Sequence, residues 1–253
     1  MIGNSKENSP GRLTPEGLSR NQEILVDMLF NTRTLAPVPK LVRVDNGFII
    51  QKVERLTSPI DFAQAEGEFA FKHHEKKPDA PLSPVYINLR NLPEDVLFQA
   101  GKVLAEIPLD ERPDFCTGIP EAGSKLARFF ALQKGIPYAR IFDKEESEGG
   151  RKIVGLKDFK PRGRRIMVID DTVTEGNTKL EAKEAAEEMG YDVLCVLIVV
   201  DRQQGAIEEL RKASCVVKAA ITLDQILRFG LRREYISEDL FNQAKAYLSA
   251  NKI

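Results

Sequence analysis

The sequence is poor in the residues that build disulfide frameworks and metal centres. Among its 253 residues there are three cysteines and two histidines. Cys116, Cys195 and Cys215 are far apart and lie in apolar surroundings, so they indicate buried free thiols in a reducing cytoplasm rather than disulfides or a zinc site. The adjacent His73 and His74 have no third ligand nearby, which argues against a metal site there.

Long apolar runs and an excess of charge of either sign are also missing. No apolar stretch approaches 18 residues, which argues against a helical membrane span. The formal net charge is −1, and this balance argues against nucleic acid as an obligate partner. Residues 1–14 are polar and lack the apolar core of a signal peptide, so they are predicted to form a flexible tail. The protein is predicted to be cytoplasmic.

One stretch, residues 164–178, carries the strongest chemical signal. It opens with the apolar run Ile166–Ile169, bounded by charge on both sides, which predicts a strand buried on both faces. Two carboxylates, Asp170 and Asp171, follow at the carboxyl end of that strand. A short loop of Thr, Gly and Asn residues then leads into a predicted amphipathic helix over 179–189.

The order of these features predicts a site for a phosphorylated sugar. A loop that passes from strand to helix presents unpaired backbone N–H groups at the positive end of the helix dipole. Gly176 allows close approach of the backbone or a left-handed turn, and Thr174 and Thr178 add hydroxyl donors. Carboxylates repel phosphate, so Asp170 and Asp171 suit sugar hydroxyls, a Mg²⁺ shell or a developing cation.

A P-loop nucleotide site is the main alternative from the residues alone. The segment Gly118–Lys125 comes close to the pattern of that loop, but Ser124 and Lys125 stand in reversed order. The lysine would enter the helix one residue late, and no hydroxyl follows it to bind Mg²⁺. A solvated Asp–Asp turn after an ordinary strand is the alternative without a ligand.

Strands and helices alternate along the chain from Val85 to Ile221. This alternation predicts an α/β fold with a mostly parallel sheet flanked by helices, preceded by an N-terminal helical and hood extension. Ligands bind such sheets at the carboxyl ends of the strands, where Gly118, Asp170 and Arg202 are all expected. Arg202 could bind a planar anion with both arms of its guanidinium, or close a salt bridge with a nearby aspartate.

Several local elements are predicted outside the central stretch. A first helix is expected over Pro15–Phe30, and a hairpin turn at 45–47. A strand is expected over Ile136–Ile141, followed by a flexible, charged hood over Phe142–Gly155. The chain is therefore divided into a flexible tail at 1–14, an N-terminal helix and hood region at 15–82, and a core with C-terminal helices at 83–253.

The stretch at 164–178 resembles the ribose-phosphate signature of type I phosphoribosyltransferases: a hydrophobic strand, two acids, then a Thr/Gly/Thr loop. Two further segments, Ser83–Arg90 and Asp201–Gly205, resemble those of orotate phosphoribosyltransferases, and the similarity covers roughly 83–227. It implies the fold of that family and transfer of phosphoribose from phosphoribosyl pyrophosphate (PRPP) to a nucleobase, with orotate and pyrimidine nucleotide synthesis as the expectation. It also implies Mg²⁺ as cofactor and a homodimer.

The same resemblance implies roles for individual residues. Asp170 and Asp171 would hold the ribose hydroxyls and favour positive charge on the sugar ring. PRPP would be bound by Glu121, Ala122, Gly123, Arg140, Thr172, Val173, Thr174, Glu175, Gly176, Asn177 and Thr178. The base would contact Lys77, Tyr86, Thr174 and Arg202. Mg²⁺ would be held mainly through PRPP and not directly by the protein.

The charged segment Phe142–Gly155 corresponds to the catalytic loop of that family, which has a pattern of Arg-Lys-x-x-Lys-x-His-Gly type. Arg140 stands at the Arg position and Lys144 at the second Lys, so Lys144 is expected to neutralise the leaving pyrophosphate. Ile141 takes the place of the first Lys, and Glu146 that of the His. Because two cations of the pattern are missing, a PRPP-binding regulatory protein of the same fold, or transfer to another base, stays open beside transfer to orotate.

Overall fold

A computed structural model of the chain describes residues 13–70, 72–147, 150–156, 162–173 and 176–251. Its helices are α1 (Arg20–Asn31), α2 (Glu94–Ala105), α3 (Ala122–Lys134), α4 (Asn177–Glu188), α5 (Ala206–Lys212), α6 (Leu223–Arg232) and α7 (Glu238–Ala250). Its strands are β1 (Thr34–Val44), β2 (Gly47–Thr57), β3 (Ile60–Phe62), β4 (Val85–Ile87), β5 (Phe115–Gly118), β6 (Phe142–Ser147), β7 (Gly150–Gly155), β8 (Arg165–Val173), β9 (Asp192–Asp201) and β10 (Val217–Thr222).

A parallel sheet in the order β10-β9-β8-β5 forms the centre of the described chain. The predicted α/β class with a mostly parallel sheet is thereby confirmed. Along β8, Ile166 and Val168 join one apolar cluster, whereas Met167 and Ile169 join the other. All four side chains are buried, because successive residues of a strand point to opposite faces and both faces are covered.

Helices cover the two faces of this sheet. On one face α1, α2, α3, α6 and α7 form the larger cluster, which includes the fully buried Leu104, Leu126 and Phe130. On the other face lie α4, α5 and the hairpin of β6 and β7. The buried side chains of α4 in that cluster are alanines such as Ala182 and Ala186. Small side chains let a helix lie close to a sheet, so α4 starts beside the carboxyl end of β8.

The first helix begins later than predicted. It starts directly after Ser19, whose hydroxyl accepts from the N–H of Gln22 while the Gln22 side chain accepts from the N–H of Ser19. This reciprocal capping box satisfies two N–H groups at the helix start. Thr14 does not cap the helix; its hydroxyl accepts from the N–H of Leu18 in a preceding turn. The helix predicted from Pro15 therefore begins five residues later, at Arg20.

The prediction of a strand over Ile136–Ile141 is wrong. This segment contacts the edge of β5 at a single bridge, between Tyr138 and Cys116. Pro137 has no N–H to donate, which limits the pairing that the segment can make. Its apolar pattern reflects burial instead, since Ile141 is fully inaccessible to solvent.

A long hairpin of β1 and β2 precedes the core. The two strands pair from Thr34 opposite Thr57 to Val44 opposite Gly47, and the predicted turn at 45–47 is confirmed. Its cross-strand partners Leu35 and Leu56 are 71% and 59% exposed. The hairpin therefore presents apolar side chains to the outside of this chain.

The segment predicted as a flexible hood over Phe142–Gly155 forms a second hairpin. β6 and β7 pair in antiparallel register, and Phe142 and Ile153 bury their side chains in the core. Residues 148 and 149, at its tip, lie outside the described residues. The backbone pairing and these two buried side chains give the segment regular structure in place of the predicted flexible hood.

The described ranges also bear on the predicted chain ends and domain boundary. The tail predicted at 1–14 lies outside the described residues except for Leu13 and Thr14. The boundary predicted at residue 82 falls between a 3₁₀ turn at Lys72–Glu75 and β4, and the division stays a prediction. Among the described helices, none combines the length and apolarity needed to cross a membrane.

Candidate active site

A cavity of about 390 Å³ opens at the carboxyl ends of the sheet strands. Ligands bind at this edge in open α/β sheets. The cavity is formed by the segment around β4, the loop between β5 and α3, β6, the end of β8, the first turn of α4, and the residue after β9. Its lining residues are Tyr86, Ile87, Asn88, Arg90, Ile119, Pro120, Glu121, Ala122, Lys144, Asp170, Asp171, Thr172, Thr178, Lys179 and Arg202.

The end of β8 places the two carboxylates in different surroundings. Asp170 is buried; its Oδ1 accepts from the N–H of Asp171 at 2.9 Å, and its Oδ2 pairs with Lys179 Nζ at 2.7 Å. Asp171 Oδ1 accepts from the N–H of Thr172 at 2.7 Å and from its hydroxyl at 3.3 Å. Both acids belong to β8, as predicted, and the strand continues two residues beyond them to Val173.

Burial raises the pKa of Asp171 to about 6, and the neighbouring Asp170 carboxylate adds to that rise. The positive charges of Lys179 and Arg90 act in the opposite direction, because they favour the ionised form. A carboxyl group of this kind changes its charge between moderately acidic and neutral pH. Asp171 is therefore mostly ionised above about pH 6 and mostly protonated below it.

Two helices begin at the cavity without a side-chain cap. α3 follows Glu121 and α4 follows Gly176, and neither residue makes a side-chain capping bond. Helix starts present N–H groups at the positive end of the dipole, where they can bind an anion. Thr178 adds a hydroxyl from the first turn of α4. The predicted ligands Thr174 and Glu175 lie outside the described residues.

A stacked aromatic pair and a buried arginine supply another part of the lining. The ring of Tyr86 stacks on Phe69 with centroids 5.0 Å apart and planes inclined by 16°. Arg202 follows β9 and is buried. Burial lowers the pKa of its guanidinium below its usual value, while Tyr247 and Tyr86 oppose that shift. A flat ligand with an anionic edge suits such a pair of groups, since a guanidinium binds carboxylate or ring oxygens with two parallel bonds.

Comparison with known proteins identifies the family, although no family model matches the chain. An orotate phosphoribosyltransferase of Methanopyrus kandleri is 36% identical over 115 residues, which are 45% of this chain and 60% of that protein. An orotate phosphoribosyltransferase of Aquifex aeolicus is 30% identical over 154 residues, which are 58% of this chain and 82% of that protein. The chain belongs to the orotate phosphoribosyltransferase family.

A solved structure agrees with this assignment. The UMP synthase of Leishmania donovani superposes with a TM-score of 0.62 at 25% identity, covering 76% of this chain and 40% of that chain. The chain thus spans less than half of that protein and 60% of the Methanopyrus kandleri protein.

Some residues predicted from the family resemblance do not line the described cavity. Lys77 is exposed before β4, several residues ahead of the segment that reaches the cavity. Arg140 pairs at the surface with Asp143 at 2.9 Å. Val173, at the end of β8, is buried in the core cluster that also contains Ile166 and Val168. Three others lie beside the lining without being part of it: Gly123, Gly176 and Asn177.

Two cationic lining residues were missed from the sequence. Lys179 is buried and lines the cavity. It was missed because the helix was predicted to start at residue 179, whereas α4 begins at Asn177 and places Lys179 within its first turn. Arg90 follows the Ser-Pro-aromatic segment, and its charge acts on Asp171. No pattern in the sequence marks Arg90, because only the fold brings β4 beside β8.

Gly123 permits the close approach of α3 to β8, and we expect Gly123→Ala to damage the site. An added Cβ would lie 2.3 Å from the carbonyl oxygen of Ile169 and 3.2 Å from Asp170 Oδ1. The overlap should lower the free energy of unfolding by about 1–3 kcal/mol and weaken PRPP binding at least about tenfold. Denaturant unfolding and calorimetric titration measure the two effects.

Gly135→Ala is the matched control for this substitution. Gly135 has φ 62° and open space around its Cα, so alanine there strains the backbone without touching the cavity. It should cost about 1 kcal/mol in stability and leave PRPP affinity unchanged. Equal losses of affinity in both variants would contradict a local effect at Gly123.

Proposed function

We propose that this protein transfers phosphoribose from PRPP to a ring nitrogen of orotate, forming orotidine monophosphate and releasing pyrophosphate in pyrimidine nucleotide synthesis. One observation carries the proposal. The carboxyl end of β8, the uncapped start of α4 and Arg202 meet around one cavity. The acids of β8 suit a sugar, the helix start suits its phosphate, and Arg202 suits an anionic base. Membership of the orotate phosphoribosyltransferase family supports the same substrates.

The proposed reaction breaks the bond between ribose C1 and a pyrophosphate oxygen and forms a bond from C1 to the base nitrogen. The nitrogen gives up its proton, which passes to the released pyrophosphate or to solvent. Positive charge develops on the ribose ring, so catalysis depends mostly on positioning and electrostatics. Asp171 stabilises that charge and holds the ribose hydroxyls. The start of α4 and Thr178 bind the 5-phosphate, and Arg202 and Tyr86 orient the base.

Mg²⁺ fits this cavity as an ion bound chiefly through PRPP. Among the described residues, no three His, Cys, Asp or Glu side chains are arranged to hold a metal ion. Glu121 and Asp171 do line the cavity, and carboxylate oxygens suit a hard cation that arrives with the pyrophosphate. When bound, Mg²⁺ supplies positive charge that offsets the charge on the leaving pyrophosphate. Glu121, which would repel free pyrophosphate, is then tolerable.

Lys144 is expected to act on the leaving pyrophosphate from β6. It is partly exposed and lines the cavity, so its charge is screened to some extent. We expect Lys144→Met to lower kcat/KM for PRPP about tenfold without changing the unfolding midpoint. Steady-state kinetics and thermal unfolding measure these effects. Lys152→Met on β7 removes an exposed cation that does not line the cavity, and a similar loss there would exclude a specific role for Lys144.

A PRPP-binding protein without turnover is the second candidate, and two residues of the hairpin favour it. Ile141, at a position where the family pattern has lysine, is fully buried. Glu146, at the position of the histidine, pairs with Arg151 at 3.0 Å. The hairpin therefore brings fewer cations toward the pyrophosphate than the pattern requires. Arg90, in the cavity lining, favours the enzyme because it adds positive charge near Asp171.

Pyrophosphate release distinguishes the candidates. The protein is incubated with PRPP and Mg²⁺, and with orotate, uracil, hypoxanthine or no base. Release with orotate above the other samples supports the proposed reaction. Release with another base would mean that the protein is an enzyme and that Arg202 binds a base other than orotate. PRPP binding without release on any base selects the second candidate.

The homodimer is proposed as well, and the exposed Leu35 and Leu56 pair supports it.

A further inference from the structure

Both carboxylate oxygens of Asp170 bind groups of the protein itself. Oδ1 accepts from the N–H of Asp171 at 2.9 Å, and Oδ2 is 2.7 Å from Lys179 Nζ. The Asp170 and Lys179 side chains are each 8% exposed. Asp171, in contrast, is partly exposed, and its bonds to Thr172 involve Oδ1. The two acids therefore differ in what they can offer a ligand.

The position of Lys179 is unfavourable for a cation unless an anion lies nearby. It occupies the first turn of α4, where the helix dipole is positive and repels a cation. It is also buried, and a buried ammonium without a partner is strongly destabilising. Asp170, at the end of β8, satisfies both requirements. The pair thus joins the strand to the helix at the point where the cavity is formed.

We infer that Lys179 is a positioning residue that neutralises Asp170, so that Asp171 alone holds the pentose. This inference rests on the proposed function. Lys179 keeps the Asp170 carboxylate from adding a second negative charge to a cavity that must bind a polyanion. It also fixes the end of β8 against the start of α4, which sets the direction of Asp171.

Removing one member of the pair or both gives different charges in the cavity. Lys179→Met leaves Asp170 charged and unpaired beside Asp171, which repels PRPP. Asp170→Asn leaves Lys179 charged, and its attraction for PRPP offsets most of the loss caused by breaking the contact between β8 and α4. The double variant has the same net charge as the original pair. A double-mutant cycle therefore separates the pair from independent roles of its members.

We test the inference by calorimetric titration of PRPP with Mg²⁺, together with kcat, KM and thermal unfolding of the ligand-free variants. Lys179→Met should weaken PRPP binding at least about tenfold, and Asp170→Asn by less than about threefold. The double variant should recover most of the affinity lost in Lys179→Met. The thermal midpoint should likewise fall in Lys179→Met and recover in the double variant. Lys183→Met, one turn along α4, removes a lysine that pairs with Glu187 and serves as control.

Two results would overturn the inference. A double variant as weak as Lys179→Met means that the lysine binds PRPP directly. A large loss in Asp170→Asn means that Asp170 itself holds the pentose. If the unchanged protein does not bind PRPP, the proposed function fails, and the pair is judged from the thermal midpoints. Additive changes in those midpoints would then refute the coupling.

Discussion

Asp171→Asn is expected to remove turnover and, at neutral pH, to make the protein more stable. Turnover should fall on the order of 10³-fold, because the variant loses the negative charge that stabilises the ribose cation. Stability should rise because the partly buried Asp171, with a pKa raised to about 6, costs free energy when it is ionised. Asparagine fills nearly the same space without that cost.

The pH dependence gives the sign of the stability effect. The carboxyl group has an ordinary pKa of 3.8 and a pKa of about 6 in the folded protein. Between these values the unfolded chain releases the proton while the folded chain keeps it. Rising pH therefore lowers the stability of the unchanged protein relative to Asp171→Asn, by up to about 3 kcal/mol in total. The difference levels off as the pH rises above about 6, where the carboxyl group becomes ionised in both states.

Denaturant unfolding between pH 4 and pH 8, beside kcat for orotate, measures both effects. Asp79→Asn, at an exposed position, is the control and should change neither quantity. A variant that loses turnover and stability together would show that Asp171 serves the fold. A variant that keeps turnover would show that another group carries the negative charge.

Substitution of Arg202 should affect the base far more than PRPP. Arg202→Met removes a buried charge from the cavity, and orotate KM should rise on the order of 10²–10³-fold. Arg202→Lys keeps a cation but loses the two parallel bonds, so it should recover only part of the loss. PRPP affinity should stay within about threefold in both variants.

Steady-state kinetics with orotate varied, and calorimetry with PRPP, measure the two ligands separately. Arg211→Met on α5 removes an exposed arginine outside the cavity and should leave both unchanged. If Arg202→Met lowers the affinity for PRPP as strongly as it raises orotate KM, the arginine supports the cavity as a whole and does not select the base.

The sequence predicted those parts of the fold that depend on local pattern. The apolar run of β8, its two acids and the glycine that precedes α4 are adjacent along the chain, so their order was sufficient to locate the cavity. The hairpin turn at Asp45 was equally local. Pattern failed at Ile136–Ile141, where burial and not pairing explains the apolar residues.

The contacts that could not be predicted join distant segments or depend on an element boundary. Arg90 reaches the cavity only because β4 lies beside the carboxyl end of the sheet. The pair of Lys179 and Asp170 depends on a helix start two residues earlier than the apolar spacing indicated. Arg140 matched the loop pattern, yet the fold pairs it with Asp143. Spacing identifies a motif, but helix starts and strand neighbours decide which side chains meet.

Calorimetric titration with PRPP in the presence of Mg²⁺ tests the central claim most directly, because it requires neither the correct base nor a competent hairpin. We predict saturable binding at one site per chain, with a dissociation constant between about 1 μM and 1 mM, that is weakened strongly by Asp171→Asn. Absence of heat and of any thermal shift in the unchanged protein would contradict the claim that this cavity binds a phosphorylated ribose.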